Sequence, residues 1–225
     1  MTRLIGWMVA LVTGVVLAAA PVRANDQQEL VDRAKITVDA LRSDQNMGKA
    51  INDLLPKARA VMVFPNLFKA GFILGGEGGS GVLLVRGADG TWSAPAFFGM
   101  GSGSIGLQIG AQSSEVIFLI MTDGGLRKVL NNSMKLGADA SIAVGPVGAG
   151  IEASTTANFR QDIYAYSKTS GLFGGGAFEG SVLTPREEWN RAYYGNGATT
   201  RAVTIERQFT NYGADTLRSA LAVQP

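Results

Sequence analysis

The chain of 225 residues contains no cysteine and no histidine. The first absence excludes a disulfide framework, so the fold is held by its core alone. It also excludes lipid attachment of the kind that needs a cysteine at a cleavage site. The second absence removes the commonest general base, the commonest metal ligand and every Ser-His or Cys-His arrangement. No block of like charge marks an acidic or basic interaction tail. Neither a G-x-x-x-x-G-K-[ST] phosphate loop nor a G-x-S-x-G nucleophile elbow occurs. Any catalysis would fall to carboxylates, and neither a metal nor a cofactor is expected.

The N-terminus reads MTRLIGWMVALVTGVVLAAAPVRA. Arg3 precedes an apolar run from Leu4 to Ala20 that falls short of the roughly 20 residues a membrane span needs. Val22-Arg23-Ala24 then offers small residues where signal peptidase reads them, so residues 1–24 are expected to be a secretory signal cleaved between Ala24 and Asn25. That leaves one domain over residues 25–225, exported to the periplasm or secreted. Losing Arg3 and Arg23 lowers the twenty bases to eighteen, which equals the eighteen acids. A basic face for nucleic acid has no support in that balance.

What the chain has in abundance is glycine, 30 in all. Before the glycine-rich part, residues 26–44 place Leu30, Val31, Ala34, Val38 and Leu41 at helical spacing, an amphipathic helix. A shorter helix is expected over Met47 to Ala58, broken at Pro56. Short apolar segments then alternate with turn signals: Ala60–Phe64, Gly71–Leu74, Val82–Arg86, Trp92–Phe98, Ile105–Ala111 and Val116–Met121. After a helical insert at Leu126–Leu130 follow Met134–Val144, Val147–Glu152, Ile163–Tyr166 and Leu172–Leu183. Ala88-Asp89-Gly90 marks a hairpin turn. Thr184-Pro185-Arg186-Glu187 has the form of a capping box and opens a helix through Trp189 to about Tyr193. A last helix is expected over Asp215–Ala222. The fold class is therefore α+β: a Gly-rich, strongly curved antiparallel β-sandwich or barrel-like sheet flanked by N- and C-terminal helices.

Glycine inside a strand is unfavourable, so FKAGFILGGEGGSGVLLVR (68–86) and GSGSIGLQIGAQ (101–112) demand a reason. Read as one strand, the second presents small residues on both faces, so a backbone or a ligand must come close. The structural reading, curvature and close packing, takes precedence over ligand contact. Both stretches also contain G-x-G-x-x-G, at 76–81 and 101–106. Strand-like sequence rather than a helix follows each, which argues against a dinucleotide site. Lys69 stands between Phe68 and Phe72, with Lys57 and Arg59 upstream, suited to lay its stem along apolar surface and hold its ammonium at a lipid headgroup. Glu77, Glu115, Glu152 and Glu179 are the carboxylates in or beside strands. A hydrolase would need two of Glu77, Glu152 and Glu179 to converge with raised pKa values.

The run LLPKARAVMVFPNLFKAGFILGGEGGSGVLLVRGADGTWSAPAFFGMGSGSIGLQIGAQSSEVIFLIM resembles the SYLF domain, also called the Ysc84 actin-binding domain. KLGADASIAVGPVGAGIEA and IYAYSKTSGLFGGGAFEGSVL extend the resemblance, which covers roughly residues 50–195. It implies a phospholipid- or phosphoinositide-binding module rather than an enzyme, of the bacterial exported branch. Actin is not an expected partner of an exported chain. Anionic phospholipid is, with Lys57, Arg59, Phe68, Lys69 and Phe72 as candidate contacts and the helix at 26–44 as an accessory. The rival reading is an envelope scaffold that meets protein partners through the glycine-rich sheet.

Overall fold

The computed structural model describes residues 24–71, 74–105, 110–145, 161–169 and 178–222. The expected signal up to residue 23, the strand expected at 147–152 and half of the one at 172–183 lie outside these residues. Helix α1 (Ala24–Arg42) buries Val31, Ala34, Val38 and Leu41, as its apolar spacing dictates. Helix α2 (Gly48–Leu54) gives way to a 3-10 turn at Leu55–Lys57, where Pro56 interrupts the helical hydrogen bonds.

Among the described residues eight strands follow: β1 (Ala60–Gly71), β2 (Leu74–Val85), β3 (Ala96–Ile105), β4 (Gly110–Ile120), β5 (Met134–Lys135), β6 (Ile142–Val144), β7 (Ile163–Thr169) and β8 (Val182–Pro185). They form one sheet in the order β5-β8-β3-β2-β1-β4-β7-β6, antiparallel throughout except for the parallel pair β6–β7. The order itself requires curvature. A flat sheet of eight strands is about 34 Å wide, seven spacings of about 4.8 Å. The two edge strands β5 and β6 are joined by residues 136–141 alone, which reach about 25 Å at most. The link is shorter still, because Leu136 bridges Ala140 within it. The sheet therefore curls into a half-barrel, flanked by N- and C-terminal helices.

Both faces of the curled sheet are buried where its strands are apolar. Inside the curl lie Met62, Phe64, Leu83, Phe98, Phe118, Phe178 and Leu183. Phe118 meets Phe64 and Phe178 edge-on, with ring centroids 5.9 and 5.4 Å away. Each such ring contributes about 2–3 kcal/mol by leaving water. Outside the curl, Val61, Val63, Val82, Leu84, Phe97, Ile117 and Leu119 pack under α1, α2 and the C-terminal helix α6 (Asp215–Leu221). Helix α3 (Asp123–Val129) follows β4, and α4 (Glu187–Tyr194) and α5 (Thr200–Thr204) follow β8. The Tyr193 hydroxyl of α4 donates to Gln28 Oε1 of α1 at 2.6 Å, which ties these two helices together on one side of the sheet.

Three local expectations need correction. The stretch 101–112 is not one strand: β3 ends at Ile105 and β4 starts at Gly110. These two strands are not even neighbours, because the β1–β2 hairpin lies between them. The strands β1 and β2 are each twelve residues: β1 runs on past Phe64 through Pro65 and Asn66, and β2 runs through the glycines of residues 75–81 to join two expected segments. Thr184 and Pro185 belong to β8, paired with Gly99 and Phe98, so no capping box forms. The N-cap of α4 is Arg186, without a side-chain cap, and Glu187 instead accepts from Thr200 N and Asn190 Nδ2.

Candidate functional site

The long strands β1 to β4 outrun the helices that cover them, and a bulge in β1 marks where the change begins. Val63 pairs with Val82, yet Phe68 pairs with Gly78, one residue out of step; the pairing with β4 slips by one as well. Pro65, which has no N–H to give the ladder, lies inside the slip on this central strand. Asn66 beside it accepts a hydrogen bond from Ser113 Oγ at 2.7 Å. The extra residue reverses the alternation. Leu67 joins the interior beside Phe64, and Phe68 is turned out on the helix side of the sheet with 52% of its surface exposed.

Beyond the bulge, Phe68 stands in a row that crosses five strands: Ser113, Phe68, Gly78, Gly101 and Val182. One row further out come Ala111, Ala70, Gly76 and Gly103. Glycine thus makes a bare floor on this face, with Phe68 and the exposed Val182 standing about 14 Å apart, three strand spacings, on either side of it. The glycines here are of two kinds. A Cβ at Gly81 would stand 2.6 Å from the Phe64 ring and from the Val63 carbonyl oxygen, and one at Gly79 2.9 Å from Leu67. Among the described residues, a Cβ at Gly101 or Gly103 would meet nothing within 4 Å, and one at Gly76 only the Ser102 carbonyl oxygen at 3.8 Å. Close packing explains the first kind and not the second.

The five residues that the sequence nominates do not come together. Lys57 and Arg59 are exposed just before β1, where Arg59 is ion-paired with Asp123 at 2.6 Å. Phe68 lies about 30 Å from them along the same strand. Lys69 follows Phe68, its backbone between Glu77 of β2 and Gln112 of β4. Phe72 lies outside the described residues. The sequence reading overlooked the bulge that aims Phe68, and Pro65 inside an apolar run was the available signal for it. It also overlooked Val182, whose place beside Gly101 depends on strand order.

Among the described residues, the three carboxylates that a hydrolase would need are not seen to converge. Of the three, Glu77 is buried in β2, Glu179 is exposed in the turn before β8, and Glu152 lies outside the described residues. Six titrating groups among the described residues are moved away from neutrality. Burial pushes the Tyr166 and Tyr193 hydroxyls up to about 12 and Tyr194 higher still. A hydrogen bond from Thr122 holds Asp162 below the usual carboxylate range, and one from Thr91 does the same for Asp89. A hydrogen bond to Asp53 raises Lys49. An acid or base that works near neutral pH needs the opposite displacement.

Comparison with known proteins gives a consistent result. A family model described as "Ysc84: Las17-binding protein actin regulator" matches residues 101–224. LAS seventeen-binding protein 3 of Saccharomyces cerevisiae is 31% identical over 193 residues, which are 83% of this chain and 42% of that protein. Protein YSC84 of the same yeast is 30% identical over 202 residues, 88% of this chain and 43% of its own length. SH3 domain-containing YSC84-like protein 1 of Mus musculus is 32% identical over 178 residues, 77% and 52% of the two chains. The chain spans about half the length of these relatives.

Proposed function

The chain belongs to the Ysc84 family, and from that membership we propose that it is a non-enzymatic module that binds a phospholipid surface with the far end of its sheet. Phe68 carries this reading: a 52% exposed ring in a row with Gly101, whose Cβ position meets nothing within 4 Å among the described residues. An aromatic ring at a bilayer interface is stabilised by leaving water while its surroundings remain wet. The bare floor lets the sheet approach a headgroup layer without a rim of side chains in the way. Lys69 and Phe72, next along the chain, belong to the same contact, and a lysine there favours anionic headgroups. Lys57 and Arg59 stand too far back to reach the same flat surface. Residues 1–24 direct export in this reading, as in the bacterial branch of the family, and the periplasm or the outside supplies membrane but no actin.

A second reading has its own support. Relatives carry Las17 binding in their names, so the floor around Phe68 is also suited to a protein partner. Flotation of residues 25–225 with anionic and zwitterionic vesicles, at low and high salt, separates the two. The expected result is co-flotation with anionic vesicles, weakened by salt. Phe68→Ser should reduce it several-fold at an unchanged melting temperature, and the double variant Lys57→Ala, Arg59→Ala should leave it intact. Loss in the double variant alone would move the contact to the other end of the sheet. No flotation with any vesicle would sink the lipid reading and leave the protein partner.

A further inference from the structure

Three steps in the chain place an aspartyl or asparaginyl residue before glycine: Asp89-Gly90, Asp123-Gly124 and Asn196-Gly197. Glycine offers its backbone nitrogen to the preceding side chain with no steric shield, the condition for intramolecular imide formation. The fold restrains two of the three. Asp89 accepts from Thr91 N at 3.1 Å and Thr91 Oγ1 at 2.8 Å, and the Gly90 N–H donates to Gly87 O at 3.0 Å. Its carboxylate is thus held, and its would-be nucleophile is engaged. Asp123 opens α3 in helical backbone and is clasped by Arg59, with Nε 2.6 Å from Oδ1.

Asn196 has none of these restraints. Gly195, Asn196 and Gly197 are all exposed in the turn between α4 and α5. The Asn196 side chain and the Gly197 N–H make no hydrogen bond among the described residues; the bonds of this turn run from Gly195 N to Arg191 O and from Ala198 N to Gly195 O. Gly197 sits at φ +87°, a conformation open to glycine, so its flank carries no side chain to obstruct attack. We propose that Asn196 is a site of spontaneous deamidation in the folded protein, a modification independent of any lipid or protein partner.

The chemistry needs only water. The Gly197 backbone nitrogen loses its proton and forms a bond to Asn196 Cγ. The Cγ–Nδ2 bond breaks, and ammonia leaves with the proton. Water then opens the five-membered imide at either carbonyl, giving aspartate or, with the chain rerouted through Cγ, isoaspartate. Both products place a negative charge just past the C-terminal end of α4, where the helix dipole opposes it. Isoaspartate also lengthens the backbone in a turn that must seat buried Ala198 and bring Thr200 N to 2.8 Å from Glu187 Oε2. The expected consequence is a looser α4–α5 junction in aged protein.

The test is peptide mapping by mass spectrometry of the whole chain held in mildly alkaline buffer, with an isoaspartate assay, beside three short peptides that carry the same steps. Asn196 should convert in the folded protein at a rate close to that of its peptide. Asp89 and Asp123 should isomerise at least about tenfold more slowly than theirs, a barrier increase of about 1.4 kcal/mol. Asn196→Gln should abolish the mass gain in that peptide and the isoaspartate signal with it. Slowing of Asn196 by about tenfold against its own peptide would overturn the proposal, as would equal protection at all three steps.

Discussion

The two halves of strands β1 to β4 are built from opposite materials. Near the helices, Val61–Phe64, Val82–Val85, Phe97–Phe98 and Val116–Ile120 are buried on both faces and carry both cores. Past the β1 bulge, β2, β3 and β4 are rich in glycine and serine, with Gly101 and Gly103 open to solvent. Strand pairing is found on both sides of the bulge, so the ladder alone explains neither their stability nor their use. The near half shows what holds the fold together, which is side-chain burial on two sides. The far half is carried by that anchorage, and its composition is free to serve a surface.

The largest effect should come from the near half. Phe118→Ala removes a ring wedged between Phe64 and Phe178 and should cost about 3–5 kcal/mol, read from denaturant midpoints at constant m. A loss below about 1 kcal/mol would mean that the interior of the curl is loosely packed and the comparison is drawn in the wrong place.

Next comes the polar knot that closes the near end of the sheet. Asp162 Oδ1 accepts from Thr122 Oγ1 at 2.5 Å, and Oδ2 lies 3.2 Å from Ser141 N and 3.6 Å from Lys128 Nζ. The Thr122 hydroxyl oxygen in turn accepts from Gly125 N at the start of α3, so one carboxylate ties β4, α3, β6 and β7. Asp162→Ala should cost about 1.5–3 kcal/mol, the range for hydrogen bonds to a charged group. The bond from Thr122 holds this carboxyl low in the folded protein. Its contribution is therefore complete above about pH 4, where the unfolded aspartate is ionised, and fades as the pH falls through the lower folded value. A difference between wild type and Asp162→Ala that stays constant on acidification would show the role to be steric.

Much of this was legible in the residues, and the limits of legibility are physical. Helices α1 and α6 announce themselves because their buried residues recur every three or four positions, and Leu217 and Leu221 are indeed buried. The curved sheet with flanking helices follows from many short apolar runs between turns. Strand length did not, because a glycine in a ladder and a glycine in a turn look alike until their hydrogen-bond partners are known. Thr184 illustrates another limit: an N-cap residue and a strand residue share one chemistry, and pairing with Gly99 decided between them. The candidate site was half visible. Phe68 was nominated for its company of glycine and lysine, whereas its exposure depends on a one-residue slip at Pro65. Lys57 and Arg59 were grouped with it by nearness in sequence, which an extended strand turns into distance.

The glycines offer the finest cut through the comparison, because one substitution should act differently in the two halves. Gly81→Ala drives a methyl toward the Phe64 ring and the Val63 carbonyl, each 2.6 Å from the new Cβ, with backbone on one side that cannot yield. A loss of about 1–3 kcal/mol is expected, the usual penalty of overpacking. Gly101→Ala meets no atom of the described residues within 4 Å, and Gly101 lies in a strand at a backbone conformation that alanine adopts. Its main effect falls on the unfolded chain, whose freedom it reduces, so stability should rise by about 0.4–1 kcal/mol. Thermal and denaturant melts of the two variants side by side measure the contrast. A clear destabilisation by Gly101→Ala would mean that something does cover that floor in the folded protein, and the far half would then be packing rather than surface. If Gly101→Ala is stabilising but weakens vesicle flotation, the open glycine serves contact at the expense of stability, which is the relation the two halves of the sheet imply.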